Sequence, residues 1–218
     1  MIARLVLQIA LLLAVTSVIL FGAAGTIRWP AGWVFLVEFH GASLMVGLWL
    51  AKHSPQLLEK RLGGIAQKSQ PLWDRIVLVV ALLLFLAWLA AMGRWHGSLP
   101  SVLQGAGALL ILACFFIVQR TFRENAFTSP VVKIQEGQHV VSTGPYSVVR
   151  HPMYTGVLLF FLGTPLLLSS WIGLCSVPAL AAVLVVRAVL EELTLAEGLP
   201  GYAEYAARVR FRLIPYVW

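Results

Sequence analysis

The chain has 218 residues, of which 60% are hydrophobic and only 11% are charged, and its formal net charge at neutral pH is +7. A soluble domain usually has about 25% charged residues, so this composition excludes an ordinary water-soluble domain and a disordered chain. The cations are spread between long apolar runs, so they do not form the basic groove of a nucleic-acid-binding protein. The composition indicates a polytopic membrane protein that has the lipid bilayer as a partner.

The first apolar run extends from Leu5 to about Ala24 and follows Arg4. Its beginning is similar to a signal peptide. However, the run is longer than the ~7–15 apolar residues of a signal core and is long enough to cross a bilayer. We therefore predict that it is a retained first span.

Hydropathy predicts five further spans, at about residues 31–51, 76–92, 102–118, 153–168 and 171–189. The last two are joined only by Ser169 and Ser170 and contain Pro165 and Pro178, which predicts a kinked helical hairpin. No repeat or soluble linker interrupts the chain. The expected fold is all-α, one membrane domain over residues 1–218 with about six transmembrane helices (range five to six).

The distribution of Lys and Arg predicts the orientation in the membrane. If the N-terminus is inside, only Arg28 and Arg94 face outward. The inner loops and tail then contain Arg4, Lys52, Lys60, Arg61, Lys68, Arg75, Arg120, Arg123, Lys133, Arg150, Arg208, Arg210 and Arg212. We therefore expect a multi-pass protein of the cell (inner) membrane with both termini in the cytoplasm.

Polar residues collect in two inner segments, residues 120–155 and 187–215. In the first, Gly144-Pro145 and His151-Pro152 predict tight turns just before a span, which would hold Arg150 and His151 at the membrane interface. Two interpretations follow from the residues alone. Either Arg150 snorkels to the interface and His151 caps the helix, or both belong to a functional site.

The second inner segment places Arg187, Glu191 and Glu192 at the end of the last span. Ionisable residues at the edge of a span are costly, and they usually mark functional sites. The structural alternative is an ion pair between Arg187 and Glu191, four residues apart, which is worth only about 0.2–0.5 kcal/mol. Because that pair leaves Glu192 alone, the two carboxylates favour a cationic ligand or an arginine from the other segment.

Three motifs follow one another in this region: GPYSVVRHPMYTG at Gly144–Gly156, EELTL at Glu191–Leu195 and GYAEYAARV at Gly201–Val209. In this order they resemble the isoprenylcysteine carboxyl methyltransferase family, and related motifs occur in bacterial phospholipid and small-thiol methyltransferases. The resemblance covers about residues 120–215. It implies a cofactor-binding catalytic half in residues 120–218, whereas the four spans that hydropathy predicts in residues 1–119 carry no motif of the family. It also implies an integral-membrane enzyme that binds S-adenosyl-L-methionine on the cytoplasmic side and takes a lipophilic small-molecule or lipidated acceptor from the bilayer.

The resemblance also assigns site residues. Those that would line the cofactor are Gln135, Gln138, His139, Val140, Val141, Tyr146, His151, Pro152, Met153, Tyr154 and Glu191. Arg187 would face the acceptor. Arg187 or Arg150 could orient a carboxylate, whereas an amine or thiol would need a base, for which Glu192 and His151 are candidates. The candidate catalytic residues are therefore Arg187, Arg150 and Glu192, and no metal is expected.

Several alternatives stay open at this point. The acceptor could be the carboxyl group of an isoprenylcysteine-like substrate, a phospholipid amine or a small thiol, and either Glu191 or Glu192 could contact the cofactor. A small membrane transporter or sensor is the non-enzymatic alternative, with Glu38 and His40 in mid-span as its ion pathway. The simpler interpretation of those two residues is a buried contact with each other, or with Arg28 or Arg94. Cys114 and Cys175 are expected to be small core residues.

Overall fold

The computed structural model describes residues 1–64, 67, 70–97 and 99–218. Lys68, which contributes to the orientation argument, lies outside these residues. Within them the chain forms α-helices and one 3-10 helix (Gly144–Ser147) and no β-strand. The α-helices are α1 (Ile2–Ala24), α2 (Pro30–His53), α3 (Pro55–Leu62), α4 (Leu72–Arg94), α5 (Ser101–Glu124), α6 (Pro152–Leu167), α7 (Trp171–Gly198) and α8 (Tyr202–Arg208).

Five of these helices, α1, α2, α4, α5 and α7, are long and apolar enough to cross a membrane. The chain is therefore a multi-pass membrane protein with an all-α fold, and the fold prediction is confirmed. The fifth predicted span, α6, has 16 residues, which is about 24 Å of helix. Helix α7 continues past the predicted end of its span, so that Glu191 and Glu192 are helical.

Contacts between loops show that the long helices run between two ends of the molecule. At one end the Trp29 ring stacks on His96 with 4.2 Å between centroids, and the Gly97 N–H donates to the Ser169 carbonyl at 2.8 Å. The loops α1–α2, α4–α5 and α6–α7 therefore meet there. At the opposite end Arg4 Nη2 donates to the Leu62 carbonyl at 2.8 Å. Helix α6 thus connects the two ends even though it is short.

Helices α5 and α6 pack closely because glycines face each other at their contact. A Cβ atom added to Gly163 would lie 2.7 Å from the Gly107 carbonyl oxygen, so a larger residue would separate the helices. Gly107 therefore serves helix packing, whereas a Cβ at Gly105 would meet open space. This contact anchors α6, whose first turn carries the RHPMY motif.

Three expectations about mid-span residues need correction. His40 lies 3.2 Å from Thr16 Oγ1 and 2.8 Å from the Leu36 carbonyl, and it does not contact Glu38. Two residues apart on one helix, Glu38 and His40 point to different faces. Both Glu38 carboxylate oxygens are buried without a hydrogen-bond partner in the described part of the chain, so Arg28 and Arg94 do not bind them either. Cys114 is buried as predicted, but Cys175 is exposed.

Candidate active site

The first motif, GPYSVVRHPMYTG, begins at a sharp turn that Gly144 makes possible, and its RHPMY part occupies residues 150–154. Gly144 has φ +56°, and a Cβ there would lie 2.6 Å from the Glu124 side chain, so both the backbone conformation and the space favour glycine. The 3-10 helix follows, and Pro152 then occupies the first turn of α6. The Arg150 and His151 N–H groups each donate at 2.9 Å to the C-terminal segment, to the carbonyls of Phe211 and Arg212. The motif is therefore held from both sides.

Glu192 is the centre of a buried charge network. Arg150 contacts it in a bidentate manner, with Nε 2.6 Å from Oε1 and Nη2 3.2 Å from Oε2. His151 Nε2 lies 3.1 Å from Oε1, and Arg212 Nε donates to Oε2 at 2.9 Å. Since these partners come from the motif and from the C-terminal segment, Glu192 joins both of them to its own helix, α7.

The interfacial interpretation of Arg150 and His151 is wrong. The Arg150 side chain is only 7% exposed, and Nη1 donates to the Ala206 and Val209 carbonyls at 3.1 and 3.2 Å. His151 occupies the position before α6, but its ring does not cap the helix and contacts Glu192 instead. Arg150, which comes from the other inner segment, does pair with Glu192. This is one of the two arrangements that the sequence favoured for the adjacent glutamates.

Glu191 faces a different environment from its neighbour. Consecutive residues of an α-helix are about 100° apart around its axis, so two adjacent glutamates cannot serve the same site equally. The Tyr154 hydroxyl donates to Glu191 Oε2 at 2.5 Å, and the Tyr154 ring stacks on His151 with 5.3 Å between centroids and 6° between planes. Glu191 lines a cavity, whereas Glu192 does not.

This cavity, which we call the polar cavity, occupies about 830 Å³ including its open mouth. The candidate residues from the sequence that line it are Gln138, His139, Val140, Val141, Tyr146, Arg150, His151, Pro152, Met153, Tyr154 and Glu191. The structure thus brings nearly all of the predicted cofactor residues together.

Gln135 is the exception among the predicted cofactor residues. Its Nε2 donates to the Phe127 carbonyl at 2.5 Å, and its Oε1 accepts a hydrogen bond from Lys60. Its backbone N–H donates to Gln138 Oε1 at 2.9 Å. Gln135 therefore braces the loop that forms one wall of the polar cavity, and it does not itself line that cavity.

Tyr202 lines the polar cavity without a partner for its hydroxyl. The residue is only 6% exposed, and the hydroxyl oxygen is buried without a hydrogen bond in the described structure. Burial raises the pKa of Tyr202, so that its hydroxyl stays protonated at neutral pH and can donate. A buried polar group without a partner is costly and is rare in native proteins. The Tyr202 hydroxyl is therefore available to a ligand.

Tyr146 and Tyr205 form the neighbouring wall. The Tyr205 hydroxyl donates to the Tyr146 carbonyl at 2.8 Å, and Asn125 Nδ2 donates to the Tyr146 hydroxyl at 3.1 Å. Burial raises the pKa of both tyrosines, which keeps both hydroxyls neutral. Tyr202 and Tyr205 belong to the third motif, so the sequence contained a signal for them although no role was assigned. Asn125 carried no such signal.

A second cavity lies on the other side of Met153 and Tyr154. This apolar cavity occupies about 950 Å³ including its open mouth, and α4, α6 and α7 supply most of its walls. The apolar side chains that line it include Val77, Leu78, Leu84, Phe85, Val157, Phe161, Leu180 and Leu184. Its inner end carries Arg187, whose guanidinium carbon lies 5.7 Å from the centre of the Tyr154 ring. Met153, Tyr154 and Ser129 line both cavities, so the two cavities share a wall at these residues.

Arg187 pairs with Asp74, and the alternative of an intrahelical pair with Glu191 is wrong. Arg187 Nε donates to Asp74 Oδ1 at 3.1 Å, and Nη2 donates to the Pro130 carbonyl at 2.8 Å. Asp74 is completely buried, and its Oδ2 accepts from the Val132 N–H and from Gln70 Nε2, each at 2.9 Å. No pattern in the sequence singled out Asp74, since it lies 113 positions before Arg187 in an ordinary first helical turn.

Asp74→Asn is expected to destabilise the protein by about 2 kcal/mol, because an amide replaces a charge-assisted hydrogen bond and leaves the Arg187 cation without a counter-charge. Thermal unfolding in a neutral detergent measures the effect. Arg75→Gln, a change at the next and exposed position, is the matched control. An Asp74→Asn protein as stable as the control would contradict the pairing.

Comparison with known proteins agrees with this architecture. Residues 102–200, which contain α5, the RHPMY motif, α6 and α7, match the family model described as phospholipid methyltransferase. The chain is also 33% identical over 135 residues to the cobalt-zinc-cadmium resistance protein CzcN of Cupriavidus metallidurans. That similarity covers 61% of this chain and 57% of the relative.

The match to a methyltransferase family model over residues 102–200 agrees with the resemblance that the motifs indicated. Met153 and Tyr154, which line both cavities, lie within the matched residues, and so does Glu191, which lines the polar cavity. Asp74 from α4 and Tyr202 from α8 lie outside the matched residues, so the structure extends the site beyond the family domain.

Proposed function

We propose that the protein is an S-adenosyl-L-methionine-dependent methyltransferase that transfers a methyl group to a lipophilic acceptor, a carboxylate of the isoprenylcysteine type, at the cytoplasmic membrane face. One observation carries the proposal: a polar cavity with Glu191 and an apolar cavity with Arg187 adjoin each other and share Ser129, Met153 and Tyr154 in their linings. A polar donor and a lipid-soluble acceptor could thus meet at this shared wall.

The residues of the polar cavity fit this cofactor. S-adenosylmethionine has two cationic groups, a carboxylate, a ribose and an aromatic base. Glu191 offers a carboxylate to an ammonium group or a ribose, and the Tyr202 hydroxyl offers a buried donor that no group of the described residues uses. Tyr146 and the stacked pair of His151 and Tyr154 offer aromatic surfaces to a base or a cation.

The chain's own groups would act mainly by positioning. When bound, the cofactor supplies an electrophilic methyl group on its sulfonium. Arg187 presents a planar fork of donors that can orient a carboxylate at the head of the apolar cavity. The buried wall of Tyr154 limits access of water and holds the two sites next to each other. Orientation and desolvation of this kind can supply a large part of a rate enhancement.

Glu192 fits a positioning role better than the role of a base. Its two oxygens already accept from Arg150 and Arg212 and lie close to His151, so it holds those side chains in place. A carboxylate acceptor enters the reaction without a proton and needs no general base. Because Glu192 and His151 contact each other, both candidate bases are already engaged, which favours a carboxylate over an amine as the methyl acceptor.

A phospholipid amine is the second candidate acceptor, and the description of the matching family favours it. In that case a base must remove a proton from the amine, and His151 lies in the polar cavity where it could do so. A panel of prenylcysteine, phospholipid and thiol acceptors, assayed with radiolabelled cofactor, separates the candidates.

The charge distribution supports a cytoplasmic location for this end of the molecule. Three arginines line the two cavities, namely Arg61, Arg150 and Arg187. Arg212 pairs with Glu192, and Arg4 contacts Leu62 at the same end. Positively charged residues concentrate on the cytoplasmic side of membrane proteins. We therefore propose the cell (inner) membrane, with both termini and both cavity heads on the cytoplasmic side.

Binding of S-adenosylhomocysteine to the purified protein in detergent tests the proposed cofactor. Isothermal titration calorimetry should detect saturable binding to one site. No binding at millimolar ligand, with a cooperative unfolding transition to show that the protein is folded, would overturn the proposal.

Arg187→Ala should leave the affinity for S-adenosylhomocysteine within about twofold, since Arg187 does not line the polar cavity. The KM for an S-farnesylcysteine acceptor should rise at least about tenfold, because a charge-assisted hydrogen bond is worth about 1.5–3 kcal/mol. Arg187→Lys retains the positive charge beside Asp74 without the planar fork and is the companion variant. Turnover and KM equal to those of the parent would show that Arg187 does not face the acceptor.

A further inference from the structure

The inner end of the apolar cavity carries two guanidinium groups. Arg187 comes from α7, whereas Arg61 comes from α3 and lies outside the residues that match the family model. Ser129 and Pro130 line the cavity beside them. The remaining walls are almost entirely apolar, so these two cations set the chemical character of the cavity head.

The two arginines differ in how their charges are compensated. Arg187 is paired with the buried Asp74. Arg61 makes one long hydrogen bond, from Nη1 to the Thr128 carbonyl at 3.4 Å, and its guanidinium carbon lies 4.5 Å from the centre of the Phe122 ring. In residues 1–64, 67, 70–97 and 99–218, no carboxylate is close enough to form an ion pair with Arg61.

Arg61 is therefore a cation in an unfavourable place. Burial and the neighbouring Arg187 guanidinium lower the pKa of Arg61 to about 10. The side chain is therefore still charged at neutral pH, although its surroundings disfavour the charged form. Glu191, the other nearby carboxylate, lies on the far side of the Tyr154 wall and accepts a hydrogen bond from Tyr154. An anion at the head of the apolar cavity would relieve the repulsion between the arginines.

We propose that Arg61 and Arg187 together form an anion-binding site that holds the carboxylate or phosphate head group of an amphiphile, whose apolar chain occupies the cavity below. Each guanidinium has five N–H donors, of which the contacts with Asp74, Pro130 and Thr128 use only some, so donors remain for a planar or tetrahedral oxyanion. The apolar walls suit the chain. This inference rests on the proposed function in taking the amphiphile to be the methyl acceptor. It makes Arg61 a specificity-determining residue that selects anionic over neutral lipids.

A purely structural role for Arg61 predicts a different result. If Arg61 only joins α3 to Phe122 and Thr128, its loss would weaken the binding of all amphiphiles equally, or none. An anion site instead predicts a loss that depends on the head group. Head-group selectivity is therefore the measurement that separates the two roles.

The test uses the full-length protein in dodecyl maltoside, titrated with palmitate, hexadecyl phosphate or hexadecanol, with tryptophan fluorescence and the unfolding temperature as readouts. At least one anion should bind the parent about tenfold more tightly than the alcohol does. Preference for palmitate supports a carboxylate head group, and preference for hexadecyl phosphate supports a phospholipid head group.

Arg61→Gln should weaken anion binding about tenfold and leave hexadecanol binding and S-adenosylhomocysteine binding within about twofold. Arg61→Lys should lie between the parent and Arg61→Gln, because lysine retains the charge but not the fork, and it serves as the test variant if Arg61→Gln does not fold. Arg75→Gln removes an exposed cation from the next helix and should bind every ligand as the parent does.

The inference is overturned if the parent binds anions no better than hexadecanol, or if Arg61→Gln keeps the anion affinity of the parent. It is also overturned if Arg75→Gln loses as much affinity as Arg61→Gln, since that would indicate general attraction of anions to a basic surface. Anion selectivity without S-adenosylhomocysteine binding would refute the proposed methyl transfer while leaving the two-arginine lipid site in place.

Discussion

Glu191→Gln is expected to weaken S-adenosylhomocysteine binding about 100-fold, and this is the largest effect on cofactor affinity that we expect from a single residue. Glu191 is a carboxylate of the polar cavity, next to Tyr154, and a cationic or ribose group of the ligand would lose a charge-assisted hydrogen bond. Such a bond is worth about 1.5–3 kcal/mol, and about 2.7 kcal/mol corresponds to 100-fold. Isothermal titration calorimetry measures the change.

The matched control is Glu197→Gln, which neutralises an exposed glutamate further along the same helix. It should bind the ligand as tightly as the parent does. Equal affinities of the two variants would mean that Glu191 does not contact the cofactor, and the assignment of the polar cavity would fail.

Glu192→Ala is expected to cause the largest loss of stability, about 3–5 kcal/mol, although Glu192 does not line the cavity. The substitution leaves Arg150, a side chain that is only 7% exposed, without its bidentate partner and removes the acceptor for His151 and Arg212. In a protein of this size the unfolding temperature should fall by about 10 °C or more. Differential scanning fluorimetry in detergent provides the measurement.

The control for that experiment is Glu191→Gln, whose neighbouring carboxylate makes a single hydrogen bond to Tyr154 and no ion pair within the described chain. It should unfold within a few degrees of the parent. If Glu192→Ala were no less stable than Glu191→Gln, the Glu192 network would not hold the RHPMY motif in place.

The two adjacent glutamates also show how far sequence reasoning could go. Hydropathy identified them as unusual charges at the edge of a span, and the motif order indicated a resemblance to methyltransferases, which agrees with the family model that matches residues 102–200. Which of the two faces the polar cavity depends on the rotation of α7, and therefore on its packing against α4 and α6. The fold consequently predicts different roles for residues that the sequence could not distinguish.

Residues of the N-terminal half were harder to predict for a different reason. Asp74 and Arg61 belong to no motif, and each acts through a contact with a residue more than 60 positions away. Such contacts depend on how α3 and α4 pack against the segment before α6, which hydropathy does not specify. The same limit explains why the Glu38–His40 contact was predicted wrongly. His40 contacts Thr16 of the neighbouring helix α1, and the spacing of residues along α2 contains no information about that contact.

Most of the fold followed from hydropathy because a transmembrane helix must be apolar over a fixed length. The predicted ends of α1, α2 and α4 lie within a few residues of the observed ones, whereas α5 continues from the predicted end at about residue 118 to Glu124. Helix α7 is longer than predicted because its last turns leave the apolar span and carry Glu191 and Glu192. These turns carry residues of the candidate site, so the helix departs from the hydropathy pattern at the place where it contributes to that site.

Methyl transfer itself tests the central claim most directly. Membranes that contain the parent protein or Glu191→Gln in equal amounts are incubated with S-adenosyl-L-[methyl-³H]methionine, and the lipid and lipidated-protein fractions are counted. The proposed function predicts label in one of these fractions with the parent and at least about tenfold less with Glu191→Gln at a subsaturating cofactor concentration. Equal labelling by the two membranes would contradict the claim that the polar cavity binds the methyl donor.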